Sequence, residues 1–128
     1  MAGNKFGAKQ IKDPATGFVF DSKKEFTRWC ELRILERAGK ISDLERQVVF
    51  ELIPAQKEES TEVYKAGPQK GLPKPGALIE RPVTYVADFT YRENGKSVVE
   101  DTKGYRTEAY KIKKKLMLWV HGIRIKET

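Results

Sequence analysis

Two aspartates and a lysine, Asp88, Asp101 and Lys103, lie on either side of an Asn94-Gly95 dipeptide. Asn-Gly between two β-rich runs indicates a tight hairpin turn. If the turn has two or four residues, Asp88 and Asp101 face each other directly, with Cβ atoms about 4.5–5.5 Å apart on one face of the sheet. A three-residue loop would instead make them diagonal neighbours. Lys103 shares the face of Asp101, because side chains two residues apart in a strand point the same way.

Two opposed carboxylates repel each other, so this pair needs a compensating charge. Mg²⁺ would supply it, because this ion commonly takes one or two protein carboxylates and completes its shell with waters and phosphate oxygens. We expect Mn²⁺ to substitute. Lys103 would orient or activate an attacking water and stabilise charge on phosphorus. The competing interpretation is an exposed ion-pair cluster in which Lys103 simply neutralises two surface aspartates.

The composition excludes several other kinds of chemistry. Lys and Arg number 25 against 18 Asp and Glu, and the net charge of +7 favours a polyanionic partner, first of all nucleic acid. The single Cys30 excludes an intramolecular disulfide, and with the lone His121 it cannot form a structural zinc site. Triad hydrolysis needs a histidine as its base, and His121, beside Gly122 near the chain end, is better explained by a structural role. A glycosidase fits poorly, because Lys103 and the basic charge would keep both acids ionised.

The length and the hydropathy pattern indicate one compact domain over residues 1–128. No apolar run approaches the roughly 20 residues of a membrane span, and the first residues lack the apolar core of a signal peptide. Together with the single cysteine, this predicts a cytoplasmic protein with no membrane association.

The first half of the chain contains a helix and a strand that must help to position the site. Residues 1–20 read as a loose, basic leading segment that ends in a short strand at residues 18–20. Ser22 and Glu25 form a capping-box pattern before a helix that Gly39 closes, and residues 44–53 have the composition of a strand. The helix's apolar face is predicted to comprise Phe26, Trp29, Cys30, Ile34, Leu35 and Ala38.

The second half predicts a long loop, the hairpin, a helix and a strand. Residues 54–82 are rich in Pro, Gly, Lys and Glu, and form a loop insertion that is either mobile or grips substrate. Residues 83–91 and 97–102 form the hairpin, 107–120 a second helix and 123–125 a last strand. The second helix's apolar face is predicted to comprise Ala109, Ile112, Leu116 and Val120. The order α-β-β-α-β predicts an α/β fold with a mixed sheet of about four strands flanked by helices.

The residues around the two aspartates resemble a known nuclease superfamily. Asp88 followed by Asp101-Thr102-Lys103 resembles the PD-(D/E)XK signature, with Ala87 where the name-giving proline would stand. More closely, four motifs in order resemble a small phage-encoded family of that superfamily, itself similar to Holliday junction resolvases. These motifs are Asn4-Lys5-Phe6-Gly7, Phe20-Asp21-Ser22-Lys23-Lys24-Glu25, Leu44-Glu45-Arg46-Gln47 and Val99-Glu100-Asp101-Thr102-Lys103-Gly104. The similarity covers nearly the whole chain except the insertion.

The resemblance implies a restriction-endonuclease-like core and Mg²⁺-dependent hydrolysis of phosphodiester bonds in branched DNA. The expected substrate is the four-way junction of phage DNA recombination, cut in the host cytoplasm by a C2 homodimer with two centres. The resemblance also implies an acidic metal ligand on the first helix, at Glu25. The alternative is that Glu25 only completes the cap with Ser22, which requires no metal.

The residues around the motif leave the DNA contacts and the activity open. Gln47, on the neighbouring strand, either lies near the centre or is merely solvated. Side chains that could track phosphates, or form an ordinary solvated face, are Tyr105, Arg106, Lys111, Lys114 and Lys115. A DNA-binding module without catalysis, and a nuclease for flaps, nicks or linear duplex, are the alternative functions.

Overall fold

A computed structural model describes residues 9–103 and 105–128. Within these ranges, a four-stranded mixed sheet has the strand order β3-β6-β7-β8, and two short two-stranded pairs flank it. The elements are β1 (Ile11–Lys12), β2 (Val19–Phe20), α1 (Lys23–Arg37), β3 (Ser42–Ile53), β4 (Gln56–Lys57), β5 (Leu78–Glu80), β6 (Val83–Glu93), β7 (Lys96–Asp101), α2 (Glu108–His121) and β8 (Lys126–Glu127). The predicted α/β class with a mixed sheet is confirmed.

The hairpin of β6 and β7 has the predicted register. Asn94 and Gly95 have φ angles of 53° and 76°, the left-handed values that a two-residue type I′ turn requires at both positions. The ladder runs from the pair Glu93 and Lys96 to the pair Phe89 and Glu100. The next position in this register sets Asp88 across from Asp101, as predicted from the turn.

The two helices pack on opposite faces of the sheet. Adjacent residues of β7 show this, because Val98 packs in the cluster of α1 whereas Val99 lies in the cluster of α2. In β6, Ala87 belongs to the α2 cluster and Phe89 to the α1 cluster, although residues two apart in a regular strand share a face. The strand therefore exchanges its faces at Asp88.

The helix α1 begins where the capping residue predicted, and half of its predicted apolar face packs inside. Ser22 is the N-cap and its Oγ accepts a hydrogen bond from the Glu25 backbone N–H at 3.1 Å. The buried side chains are Glu25, Trp29 and Leu32, and Phe26 and Leu35 pack against the same cluster. The predicted members Cys30, Ile34 and Ala38 are exposed, so that part of the prediction was wrong. The helix therefore turns a carboxylate as well as apolar side chains towards the sheet.

The helix α2 is capped by Thr107 and ends at Gly122, whose φ of 68° is typical of a helix C-cap. Its buried residues are Tyr110 and Met117, not the predicted stripe. Ile112 is 58% exposed, and Val120 and Ala109 are exposed as well. Only Leu116 of that stripe is partly buried against the core. The helical spacing of the apolar residues predicted the helix, but it did not predict which side of the helix packs against the sheet.

Three further segments differ from their predictions. Residues 54–82 are not a plain loop, because β4 pairs with β5 and Val63 bridges Pro73. The leading segment contains a hairpin of β1 and β2 rather than one short strand. The last strand is β8, just beyond the predicted residues 123–125, and it pairs parallel to β7. Neither helix of the described ranges has the length and apolar content of a bilayer-spanning segment.

Candidate metal centre

The strand β7 ends beside the Asp88 carboxylate. Thr102, the first residue after β7, donates its backbone N–H and its hydroxyl to Asp88 Oδ2, at 2.9 and 3.0 Å. Meanwhile the backbone of Asp101 pairs with Glu127 of β8. The Asp88 carboxylate therefore accepts hydrogen bonds from the residue that follows β7. These bonds fix its side chain where β6, β7 and α1 meet. The middle residue of the Asp-Thr-Lys motif thus holds the first aspartate in place.

Asp101 is a fully buried carboxylate that lacks full compensation. Its exposed fraction is 0%, and the Tyr85 hydroxyl donates to its Oδ2. Its other oxygen, Oδ1, is buried and accepts no hydrogen bond within the described residues, although Lys103 Nζ lies 3.3 Å away. Burial, with a hydrogen bond and charge repulsion from Asp88, raises the pKa of Asp101 to about 8, against the lowering effects of Tyr85 and Lys103.

Glu25 brings a third carboxylate to this region from α1. Its side chain is only 4% exposed. Burial first, and then the charges of Asp88 and Asp21, raise the pKa of Glu25 to about 7, while Arg46 opposes the shift. The cap with Ser22 uses the backbone N–H of Glu25, while its carboxylate interacts with the Asp21 backbone and with the charge of Asp88. The hydrogen bond to Ser22 therefore does not itself occupy the carboxylate.

Contacts of both its backbone and its side chain hold Lys103 in place. Its Nζ lies 4.5 Å from the centroid of the Tyr110 ring, close enough for a cation–π interaction, as well as beside Asp101. Its carbonyl accepts a hydrogen bond from Lys24 Nζ at 3.3 Å. The lysine is therefore placed between α1 and α2 with its charge at the carboxylates, as the sequence predicted from their shared face.

Gln47 lies across from Asp88 but is not part of the carboxylate cluster. Its neighbours Arg46 and Val48 pair with Phe89 and Ala87, which leaves Gln47 opposite Asp88. Its φ is 55°, a left-handed value that non-glycine residues rarely adopt, and its side chain is exposed. The sequence left open whether Gln47 lies near the centre or is solvated; its backbone lies across from Asp88 while its side chain is exposed, and its backbone conformation was not predicted.

A second buried carboxylate, Glu100, lies on the other face and is fully compensated. Arg28 donates to both of its oxygens, at 2.6 and 3.0 Å, and the Tyr91 hydroxyl and Thr128 hydroxyl also donate to it. Arg28 and Tyr91 hold the pKa of Glu100 below its usual value despite burial. The contrast between these two adjacent carboxylates shows that Asp101 is the undercompensated acid of the two.

The donor set of the centre fits a hard divalent cation. The negative charge of Asp88 disfavours ionisation of Asp101 and so helps to raise the pKa of Asp101. A divalent cation would offset this repulsion, and Mg²⁺ commonly needs only one or two protein carboxylates. Over residues 9–103 and 105–128, however, no group of three or more His, Cys, Asp or Glu side chains is arranged to hold a metal. The geometry therefore fits the pair Asp88 and Asp101, and the metal role of Glu25 stays a prediction.

A basic groove runs along α2 beside the centre. It has a volume of about 670 Å³, and its lining includes Arg106, Lys111, Lys114, Lys115, Arg124 and Tyr110. Glu127 binds Arg106 at 3.0 Å and Lys114 at 3.1 Å, and Tyr110 lies under Lys103. Four of the predicted phosphate-contacting residues thus share one surface. Tyr105 is exposed and is absent from the groove lining.

The comparisons with known proteins place the chain in a family. A family model described as protein of unknown function (DUF1064) matches residues 3–122. The chain belongs to this DUF1064 family. No curated protein and no solved structure matches it.

The DUF1064 match spans all four candidate residues of the centre, Glu25, Asp88, Asp101 and Lys103. It also spans Asn4-Lys5-Phe6-Gly7, but that motif and Gly104 lie outside the described residues. The description of this family names no activity.

Proposed function

We propose that this chain is a Mg²⁺-dependent DNA endonuclease with a restriction-endonuclease-like core of the PD-(D/E)XK type. The observation that carries the proposal is the buried Asp101 Oδ1, which has no hydrogen-bond donor among the described residues. A buried carboxylate oxygen that accepts no hydrogen bond is costly, even beside the Lys103 ammonium, and such groups in native proteins call for a functional explanation. An exposed ion-pair cluster does not account for it, because Asp101 is fully buried.

The side chains around Asp101 are arranged to leave this oxygen for a ligand. Tyr85 engages Oδ2 of Asp101, and Thr102 engages Oδ2 of Asp88, so one oxygen of each aspartate is held by a fixed donor. Asp88 and Asp101 would hold Mg²⁺, with Glu25 as the third carboxylate on the α1 side. When bound there, the cation supplies Lewis-acid stabilisation of the phosphate and lowers the pKa of its water.

Lys103 contributes a positive charge that the carboxylates and Tyr110 hold in place. Its Nζ is 3.3 Å from Asp101 and its side chain is partly exposed, so it can hydrogen-bond a phosphate oxygen or a water. A fixed ammonium at this position would stabilise charge that develops on phosphorus during hydrolysis. The lysine would therefore act on the substrate directly.

Nucleic acid is the substrate that the surrounding charge favours. The net charge is +7, and the α2 groove gathers five cationic side chains beside the centre. By the resemblance to phage Holliday junction resolvases, the preferred substrate would be a four-way junction in phage DNA recombination. The active form would be a homodimer with two centres. The products would carry 5′-phosphates.

The experiment that tests this function compares substrates as well as metals. Labelled four-way junctions, flaps, nicked duplex and linear duplex are incubated with the protein in Mg²⁺, Mn²⁺ or EDTA. We expect cleavage of the junction at two symmetric positions in either metal, little cleavage of linear duplex and none in EDTA. Sedimentation of the protein, alone and with the junction, measures whether the protein is a dimer. Preferential cutting of flaps or nicks would support the proposed nuclease activity but contradict the four-way junction as its preferred substrate.

A DNA-binding module without catalysis is the second candidate, and the α2 groove favours it, because that surface alone can bind a phosphate backbone. It predicts junction binding that leaves the DNA intact in both metals. It gives no reason for the buried Asp101 oxygen that accepts no hydrogen bond, and for that reason we place it second.

A further inference from the structure

A second basic cavity lies on the opposite side of the centre from the α2 groove. This cavity, the α1 pocket, has a volume of about 470 Å³. It is lined by Lys23, Lys24, Thr27, Arg28, Glu31, Thr102 and Thr128. The lining thus contains three cations, three hydroxyl groups and one carboxylate. Cationic and hydroxyl side chains bind phosphate groups in proteins, whereas the Glu31 carboxylate opposes them.

Two of the three cations are available to a ligand. Arg28 is committed to Glu100 through two hydrogen bonds, so its charge is already balanced. Lys24 Nζ donates to the Lys103 carbonyl and retains two further N–H donors. Lys23 is exposed and forms no ion pair in the described part of the chain. A phosphate in the pocket would therefore meet two lysine ammonium groups.

The α1 pocket adjoins the centre through two of its own residues. Thr102 forms part of its wall and donates to Asp88, while Lys24 donates to the carbonyl of Lys103. On the other side of Lys103, the ring of Tyr110 lines the α2 groove. The centre thus lies between two basic cavities. A single DNA strand carries a phosphate about every 3.4 Å along the helix axis, so one strand can reach both sides of the scissile bond.

We propose that the α1 pocket binds a backbone phosphate of the DNA strand that is cut, on the side of the scissile bond opposite to the α2 groove. This inference rests on the proposed nuclease function and extends it to the path of the substrate. Strand contacts on both sides of the centre select bonds inside a chain over bonds at its end. Lys23 and Lys24 are the binding residues, and Thr27 adds a hydroxyl donor.

Binding without metal tests the pocket separately from catalysis. The equilibrium is measured by fluorescence anisotropy with a labelled four-way junction in EDTA over a series of KCl concentrations. The test protein is the Lys23→Ala/Lys24→Ala double variant. The matched control is Lys40→Ala/Lys96→Ala, which removes the same charge at exposed positions beyond the C-terminal end of α1 and at the hairpin turn. Thermal unfolding checks that both variants fold.

We expect the pocket variant to raise Kd roughly tenfold or more and to reduce the salt slope by about 1 for each lysine that contacts a phosphate. The control should stay close to wild type. Equal weakening of both variants, or no weakening of the pocket variant, would overturn the inference, as would a wild type that does not bind. A wild type that binds but never cleaves in Mg²⁺ contradicts the nuclease function alone.

Discussion

Gln47 of β3 lies opposite Asp88 of β6. Among the described residues, this is the one position at which both strands change the face of the sheet to which their alternate side chains point. Leu44 of β3 packs with the α1 cluster and Phe50 with the α2 cluster, and the left-handed backbone of Gln47 lies between them. Such irregularities bend a strand and redirect its side chains, and they cluster next to functional sites. Here the exchange gives Asp88 access to Glu25 on one face and to Asp101 on the other.

Substitutions at Gln47 should separate backbone conformation from side-chain contacts. Gln47→Gly should keep or raise the free energy of unfolding, because glycine adopts a positive φ without penalty. Gln47→Val should lower it by about 1–2 kcal/mol and weaken the thermal shift caused by Mg²⁺. Both are measured by thermal and urea unfolding. Glu45→Val, at an exposed position of β3 that does not have a positive φ, should be near neutral. An equally harmless Gln47→Val would contradict the role assigned to this backbone.

The raised pKa values of Glu25 and Asp101 predict a pH-dependent stability. Both values, about 7 and about 8, exceed those of unfolded carboxylic acids, about 4. The folded protein therefore binds more protons between these limits, and the stability from these groups is complete below pH 4 and lost as the pH rises to about 8. Adding Mg²⁺ should restore it, so the increase in Tm caused by Mg²⁺ should be larger at pH 8 than at pH 6. A shift that is independent of pH would contradict this linkage.

Tyr85 should hold Asp101 without taking part in the chemistry. Tyr85→Phe removes the donor to Asp101 Oδ2 and should lower the free energy of unfolding by about 1–3 kcal/mol. The pKa of Asp101 should rise further, so the pH at which Mg²⁺ stabilises the protein should also rise. Tyr91→Phe is the matched control, because it removes a donor to Glu100, which keeps Arg28. The same Mg²⁺ response in both variants would count against a positioning role for Tyr85.

Glu25 and Ser22 can be separated experimentally, because the cap uses only the Glu25 backbone. Glu25→Gln should retain the cap and the fold but lose cleavage by two orders of magnitude or more, if the carboxylate belongs to the metal shell. Ser22→Ala should cost about 1 kcal/mol of stability and leave cleavage intact. Cleavage rates and melting curves of the two variants give the comparison. Full activity of Glu25→Gln would remove this residue from the centre.

Local signals made the hairpin and the pair of aspartates predictable. Asn94-Gly95 fixes a two-residue turn, and the turn fixes the register that sets Asp88 across from Asp101. The caps at Ser22 and Gly122 likewise gave the helix ends. These features depend on residues close together in the chain, which is why the sequence was sufficient for them.

Features that depend on tertiary packing were not predictable in this way. The helix α1 turns Glu25 and Arg28 as well as apolar residues towards the sheet, so a rule that places only apolar residues inside recovers only half of the predicted face. Trp119 of α2 is 84% exposed, against the same rule. Tyr85 was missed as a partner of Asp101, because their contact requires the face exchange at Asp88 and no local motif encodes it.

The central claim is that Asp101 acts through a bound divalent cation, and single-turnover cleavage of a labelled four-way junction tests it most directly. Wild type, Asp101→Asn and the control Asp43→Asn are compared in Mg²⁺ and in EDTA; Asp43 is exposed and has a φ of 55°, which asparagine tolerates. We predict that wild type and Asp43→Asn cleave only with Mg²⁺, while Asp101→Asn binds the junction and leaves it intact. Cleavage by Asp101→Asn at the wild-type rate, or cleavage by wild type in EDTA, would contradict the account.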